Sequence, residues 1–144
     1  MKKIILVSML FSALLISCKK EKTDSCEVSV AAIAANYKLT KVETVSASAS
    51  SDVTSTFLDD CKKSAFYRLN VNKTYNYTEI SSTCTGSGDG TWDASNNTVS
   101  IAGPGGFQFV NAPVESWDCK NLIITQNISL AGTTVKGRFT FVKQ

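Results

Sequence analysis

Phe66-Tyr67-Arg68-Leu69-Asn70-Val71-Asn72-Lys73-Thr74-Tyr75-Asn76-Tyr77-Thr78-Glu79 is the stretch that decides the fold. Two runs rich in aromatic and β-branched residues, Phe66 to Asn70 and Thr74 to Glu79, flank Val71-Asn72-Lys73, where Asn72 supplies a residue tolerant of positive φ. The reading is a β-hairpin. Downstream, a Ser/Gly-rich loop (81–88) leads into Asp89-Gly90-Thr91-Trp92-Asp93, the turn Ala94-Ser95-Asn96-Asn97 and the strand Thr98-Val99-Ser100-Ile101, a second hairpin. Gly103-Pro104-Gly105-Gly106 breaks the chain. Phe107 to Val110 resumes with its aromatic residues on one face, and Val114 to Cys119 carries the sheet on past Pro113. Asn121 to Gln126 and Thr134 to Val142 complete it. Upstream, Tyr37 to Val45 reads as a half-buried strand, Ser46 to Thr56 as a long loop, and Ala31 to Ala35 as one helical turn. After Ala35 no apolar pattern of helical period persists for three turns, so the domain is all-β. About eight short strands joined in sequence satisfy their edges either as an up-and-down antiparallel β-barrel or as a two-sheet β-sandwich.

The 144 residues are 43% hydrophobic and 19% charged, with a formal charge of +3, which fits one globular domain. The absence of His removes the usual general base and commonest metal ligand, so triad hydrolases and His-based zinc sites are excluded. The charge is too small to imply a nucleic-acid partner. No cofactor is called for.

At the amino terminus, Lys2-Lys3 precedes an apolar run from Ile4 to Ile16. Thirteen residues suit an export signal and fall short of the roughly 20 that span a bilayer. The run ends Leu15-Ile16-Ser17-Cys18, which resembles a bacterial lipobox. That resemblance implies a signal peptide over 1–17, lipid attachment at Cys18, and a protein of the cell envelope anchored to the outer membrane. Several acyl chains hold a protein stably where one binds reversibly. Lys19-Lys20-Glu21 is similar to the charged tag that sends lipoproteins of the Bacteroidota to the outer face of that membrane. Residues 18–34 are then the lipidated end and tether, and 35–144 the domain.

With Cys18 acylated, Cys26, Cys61, Cys84 and Cys119 remain, an even number suited to disulfides in an oxidising compartment. Three pairings are open. Cys61 with Cys84 is favoured because the two bracket the first hairpin, which leaves Cys26 with Cys119. None of the spacings is the short one of tetrahedral zinc sites.

The aromatic residues recur with period two. Tyr37, Tyr75, Tyr77 and Trp92 in the first half, and Phe107, Phe109, Phe139 and Phe141 in the second, are the candidate lining of an apolar ligand cavity, or else an ordinary core. Asp59-Asp60 reads as a turn or strand start, since adjacent side chains of an extended chain diverge. Asp89 and Asp93 lack the spacing of a calcium loop and read as turn residues. Gly86, Gly88 and Gly90 are followed by neither a helix nor a Lys-Ser/Thr pair, as a phosphate loop requires.

Taken in order, the lipobox, Asn36-Tyr37-Lys38-Leu39-Thr40-Lys41-Val42, Asp59-Asp60-Cys61-Lys62-Lys63, the first hairpin, Gly90-Thr91-Trp92-Asp93 running into Asn97 to Ile101, and Asn121-Leu122-Ile123-Ile124-Thr125 resemble the lipocalin-like lipoproteins of Bacteroidota. The likeness spans about residues 35 to 142. Ala35-Asn36-Tyr37 stands where that family usually has a Gly-x-Trp phrase. The resemblance implies a lipid-anchored up-and-down barrel, and its Asp-Asp-Cys phrase implies a cysteine partner near the end of the following hairpin, in keeping with Cys61 and Cys84. The expected function is non-enzymatic: a membrane-anchored module binding a small apolar or amphipathic ligand, or a filled barrel serving as accessory to an envelope complex.

Overall fold

The computed structural model describes residues 26–144; the stretches read as export signal, lipid-attachment cysteine (Cys18) and charged tag lie outside the described residues. The elements run α1 (Val30–Ile33), β1 (Ala35–Val45), β2 (Ser50–Asp52), α2 (Thr54–Phe57), α3 (Asp60–Ser64), β3 (Phe66–Leu69), β4 (Thr74–Thr78), β5 (Ser87–Ser95), β6 (Thr98–Ala102), β7 (Phe109–Trp117), β8 (Asn121–Leu130) and β9 (Thr133–Lys143). Strands β3 to β9 pair antiparallel in chain order, and β1 joins β3 on one side and β9 on the other. The result is a closed eight-stranded barrel, with β2 as a ninth strand hairpinned onto the far half of β1.

Closure rests on the length of β1. Its first residues pair with β3 (Ala35↔Leu69 to Tyr37↔Tyr67), while Tyr37↔Lys143 to Val45↔Lys136 joins it to β9. The register slips between Leu39 and Lys41, and the intervening Thr40 turns its Oγ1 to donate to the Thr140 carbonyl at 3.2 Å. Such a bulge bends a strand, as a barrel wall requires. This continuous β1–β9 ladder rules out the sandwich.

The turns obey local chemistry. Asn96 and Asn97 (φ 50° and 59°) form the two-residue turn between β5 and β6, and Ala131 and Gly132 (φ 49° and 80°) the one between β8 and β9. In the first hairpin the positive φ falls on Lys73 (64°) and not on Asn72. Asn72 contributes through its side chain instead, its Oδ1 accepting from the Thr74 N–H at 3.1 Å and the Thr74 hydroxyl at 2.7 Å. The segment read as one long loop holds β2 and α2. The strand expected from Phe107 starts at Phe109, because the Phe107 N–H donates to the Tyr67 hydroxyl at 3.3 Å. At its far end β7 stops at Trp117, short of Cys119, whose φ is 68°.

Two disulfides staple the barrel at opposite ends. Cys61–Cys84 closes 23 residues and Cys26–Cys119 closes 93, with Cα separations of 5.5 and 5.3 Å. On the chain-entropy account these constrain the unfolded chain by about 3 and nearly 5 kcal/mol. The last turn of the stretch read as tether belongs to the domain: Ile33 of α1 is fully buried, and its carbonyl accepts from the Tyr37 hydroxyl at 2.7 Å.

Candidate functional site

Alternation along each strand sends one set of side chains inward. The aromatic residues among them meet in a continuous row. Tyr67 lies at 5.2 Å from Tyr77 and 5.2 Å from Phe141, both edge to face, and at 6.2 Å from Tyr75. From Phe141 the row passes to Phe109 (5.8 Å), Phe139 (5.1 Å), Phe107 (5.0 Å) and Phe57 of α2 (6.1 Å). Tilted and edge-to-face pairs at these distances each add about 0.5–1.5 kcal/mol beyond burial. At the α1 end Tyr37 packs 6.3 Å from Trp117, and Trp92 donates its indole N–H to the Asn70 carbonyl at 2.8 Å.

Seven of the eight candidate cavity residues are at most 2% exposed: Tyr37, Tyr75, Tyr77, Trp92, Phe109, Phe139 and Phe141. Phe107, in the loop that crosses the barrel mouth, is partly buried against them. The row hinges on Tyr67, which the sequence reading placed on a strand without counting it among the candidates. Its alternation with Leu69 was the available signal.

The tyrosines tie this interior to its covers. The Tyr75 hydroxyl donates to the Gly105 carbonyl at 2.9 Å, and Tyr67 accepts from Phe107, so two phenols hold the loop from Gly103 to Gln108 across one end. The loop lies so close that a Cβ on Gly106 (φ +62°) would sit 2.6 Å from the Tyr67 ring. Tyr37 holds α1 over the other end. Burial pushes the pKa of all four tyrosines well above the ordinary phenol range, with the Glu79 hydrogen bond adding to the effect at Tyr77.

The carboxylates read from sequence are dispersed. Asp59 caps α3, its Oδ1 accepting from the Lys62 N–H at 2.8 Å, which holds its pKa below the usual carboxylate range. Asp60 follows in the first turn of that helix, so the pair begins a helix and not a strand. Asp89 and Asp93 lie on β5 and not in turns: Asp89 accepts from Asn76 Nδ2 at 2.7 Å, and Asp93 pairs with Lys73 at 3.0 Å.

The wall is left partly unpaired between two of its strands. Strands β7 and β8 pair from Val114↔Ile124 to Trp117↔Leu122 and then part. The Gln126 side chain spans the gap, its Oε1 accepting from the Val110 N–H at 3.3 Å and its Nε2 donating to the Gln108 carbonyl at 3.1 Å. Outside it lies an open groove of about 570 Å³ bordered by Val110, Pro113, Asn127 and Lys136. A second open groove, about 800 Å³, runs between the start of β1 and the first hairpin past Asn36, Arg68, Asn70 and Asn76. Among the described residues no helix is long and apolar enough to cross a membrane. Compared with known protein families, curated proteins and solved structures, the chain finds no match in any of the three.

Proposed function

We propose that this chain is a non-enzymatic, lipid-anchored module of the cell envelope whose barrel is filled by its own side chains, and which serves an envelope complex through its outer surface. The observation that carries the reading is the aromatic row. An eight-stranded barrel has room for packed side chains or for one small ligand, and here rings in mutual contact, covered at both ends, take up that room. The anchor rests on the Leu15-Ile16-Ser17-Cys18 phrase.

A second reading, a carrier of one small apolar molecule, is favoured by the seam at Gln126. Parting β7 from β8 there would give access to Phe107, Phe109 and Phe139 without unpicking a backbone ladder.

Native mass spectrometry of the protein extracted gently from its host distinguishes the two. The filled-barrel reading expects the bare lipidated mass, and a stoichiometric copurifying ligand would replace it with the carrier reading. In the same extracts Cys18→Ala is expected to release the protein from the membrane fraction; continued sedimentation with membranes would rule out the acyl anchor.

A further inference from the structure

The carboxylate of Glu79 has no lysine or arginine partner among the described residues, although it is half-buried. A carboxylate withdrawn from water is normally compensated by a cation or by hydrogen bonds. Two donors hold this one: the Tyr77 hydroxyl on Oε1 at 2.8 Å and the Gly86 N–H on Oε2 at 3.0 Å. A Cβ at residue 86 would displace the Glu79 carboxylate from this position. The carboxylate so positioned faces the Cys61–Cys84 disulfide. One Glu79 oxygen and the two sulfurs all lie within 4.8 Å of one another.

We propose that reduction of Cys61–Cys84 opens a site for a thiophilic divalent cation such as Zn²⁺, with the two thiolates and the Glu79 carboxylate as its ligands. The three donors come from α3, the residue just after β4 and the loop that follows, so the barrel wall and the loop together set their spacing. Two sulfurs on one tetrahedral zinc at about 2.3 Å each stand about 3.8 Å apart. The bonded sulfurs stand closer than this and must move apart to reach it once the S–S bond is broken. Tyr77 and Gly86 act as the outer shell that orients the carboxylate. The fourth position is left to water, as in zinc sites with three protein ligands. In the disulfide state neither sulfur is a thiolate and the site is shut.

The chemistry balances with a dithiol as reductant. The dithiol is oxidised to its own disulfide, the Cys61–Cys84 bond breaks, and two electrons and two protons pass to the cysteine sulfurs. As the two metal–sulfur bonds form, both protons leave to water.

The test is a Cd²⁺ titration of the full chain, followed by the ultraviolet sulfur-to-cadmium charge-transfer band, before and after reduction with a phosphine. One equivalent of Cd²⁺ is expected to bind the reduced protein with a dithiolate band and to leave the oxidised protein unchanged. Cys61→Ser with Cys84→Ser is expected to abolish the band, and Cys26→Ser with Cys119→Ser to preserve it. Tyr77→Phe, which loosens the carboxylate, is expected to weaken binding about tenfold, and Glu79→Gln by more. Three results would overturn the proposal: equal Cd²⁺ affinity in both redox states, unchanged affinity in Glu79→Gln, or a reduced chain that loses its β-sheet circular dichroism and does not recover it on adding Cd²⁺.

Discussion

Gly106 and Gly132 both take a left-handed backbone conformation, at φ +62° and +80°, in different surroundings. A side chain at either costs about 1 kcal/mol for that backbone alone. At Gly132 a Cβ meets nothing within 4 Å, whereas at Gly106 it meets the Tyr67 ring at 2.6 Å and the Tyr75 hydroxyl at 2.8 Å. Gly106→Ala is therefore expected to destabilise by about 1–3 kcal/mol more than Gly132→Ala in urea unfolding. Equal losses would mean that the loop does not bear on the tyrosines. At this scale the inward aromatics were legible, because period-two alternation marks one face of a strand. The role of Gly106 was not, since Gly103-Pro104-Gly105-Gly106 announces a break without saying what the break packs against. The two aspartates before Cys61 were misplaced for a related reason. A helix of five residues is too short to show a helical period, and it is identified by the Lys62 N–H donating to the Asp59 carboxylate and the Lys63 N–H to the Asp59 carbonyl.

The elements divide into those the barrel pairs on both sides and those it leaves at an edge. Beyond Ile124, β8 has β9 on one side and the Gln126 bridge on the other, and such an edge invites a second chain. Lys136, opposite Asn127 on β9, borders the groove there with its cation, and Asn111, at φ 45°, breaks the regularity of β7 across the gap. Charged residues and bulges of this kind blunt an edge. Replacing both Lys136 and Asn127 with Val is expected to produce concentration-dependent association in sedimentation velocity. A variant that stays monomeric would show that the seam is protected by something else. Sequence missed β2 because all three of its residues, Ser50, Ser51 and Asp52, are exposed, leaving no alternation to read. It also stopped β8 at Gln126, where Asn127 and Ser129 thin the apolar pattern and only the pairing with β9 carries the strand to Leu130.

For the molecule as a whole, the four tyrosines link the fold to pH. Each has its pKa raised in the folded state above the value of about 10 expected when unfolded. Above that pH the unfolded chain holds fewer protons than the folded one, so stability is fully present below about pH 10 and falls as pH rises further. Tyrosinate absorbance is expected to appear together with loss of the β-sheet circular dichroism. Ordinary tyrosine titration with the fold intact would contradict the packed interior. By itself the sequence determined the all-β class, the order of the barrel strands and most of the side chains that turn inward, because these follow from alternation and turn chemistry within a few residues. It favoured the disulfide pairing by asking which cysteines a hairpin brings together. Whether the sheet closes or stacks, and how its rings meet one another, only the tertiary structure decided. Closure depends on β1 reaching β9 across about a hundred residues of chain, and the ring contacts join side chains from distant strands, neither of which leaves a local signature.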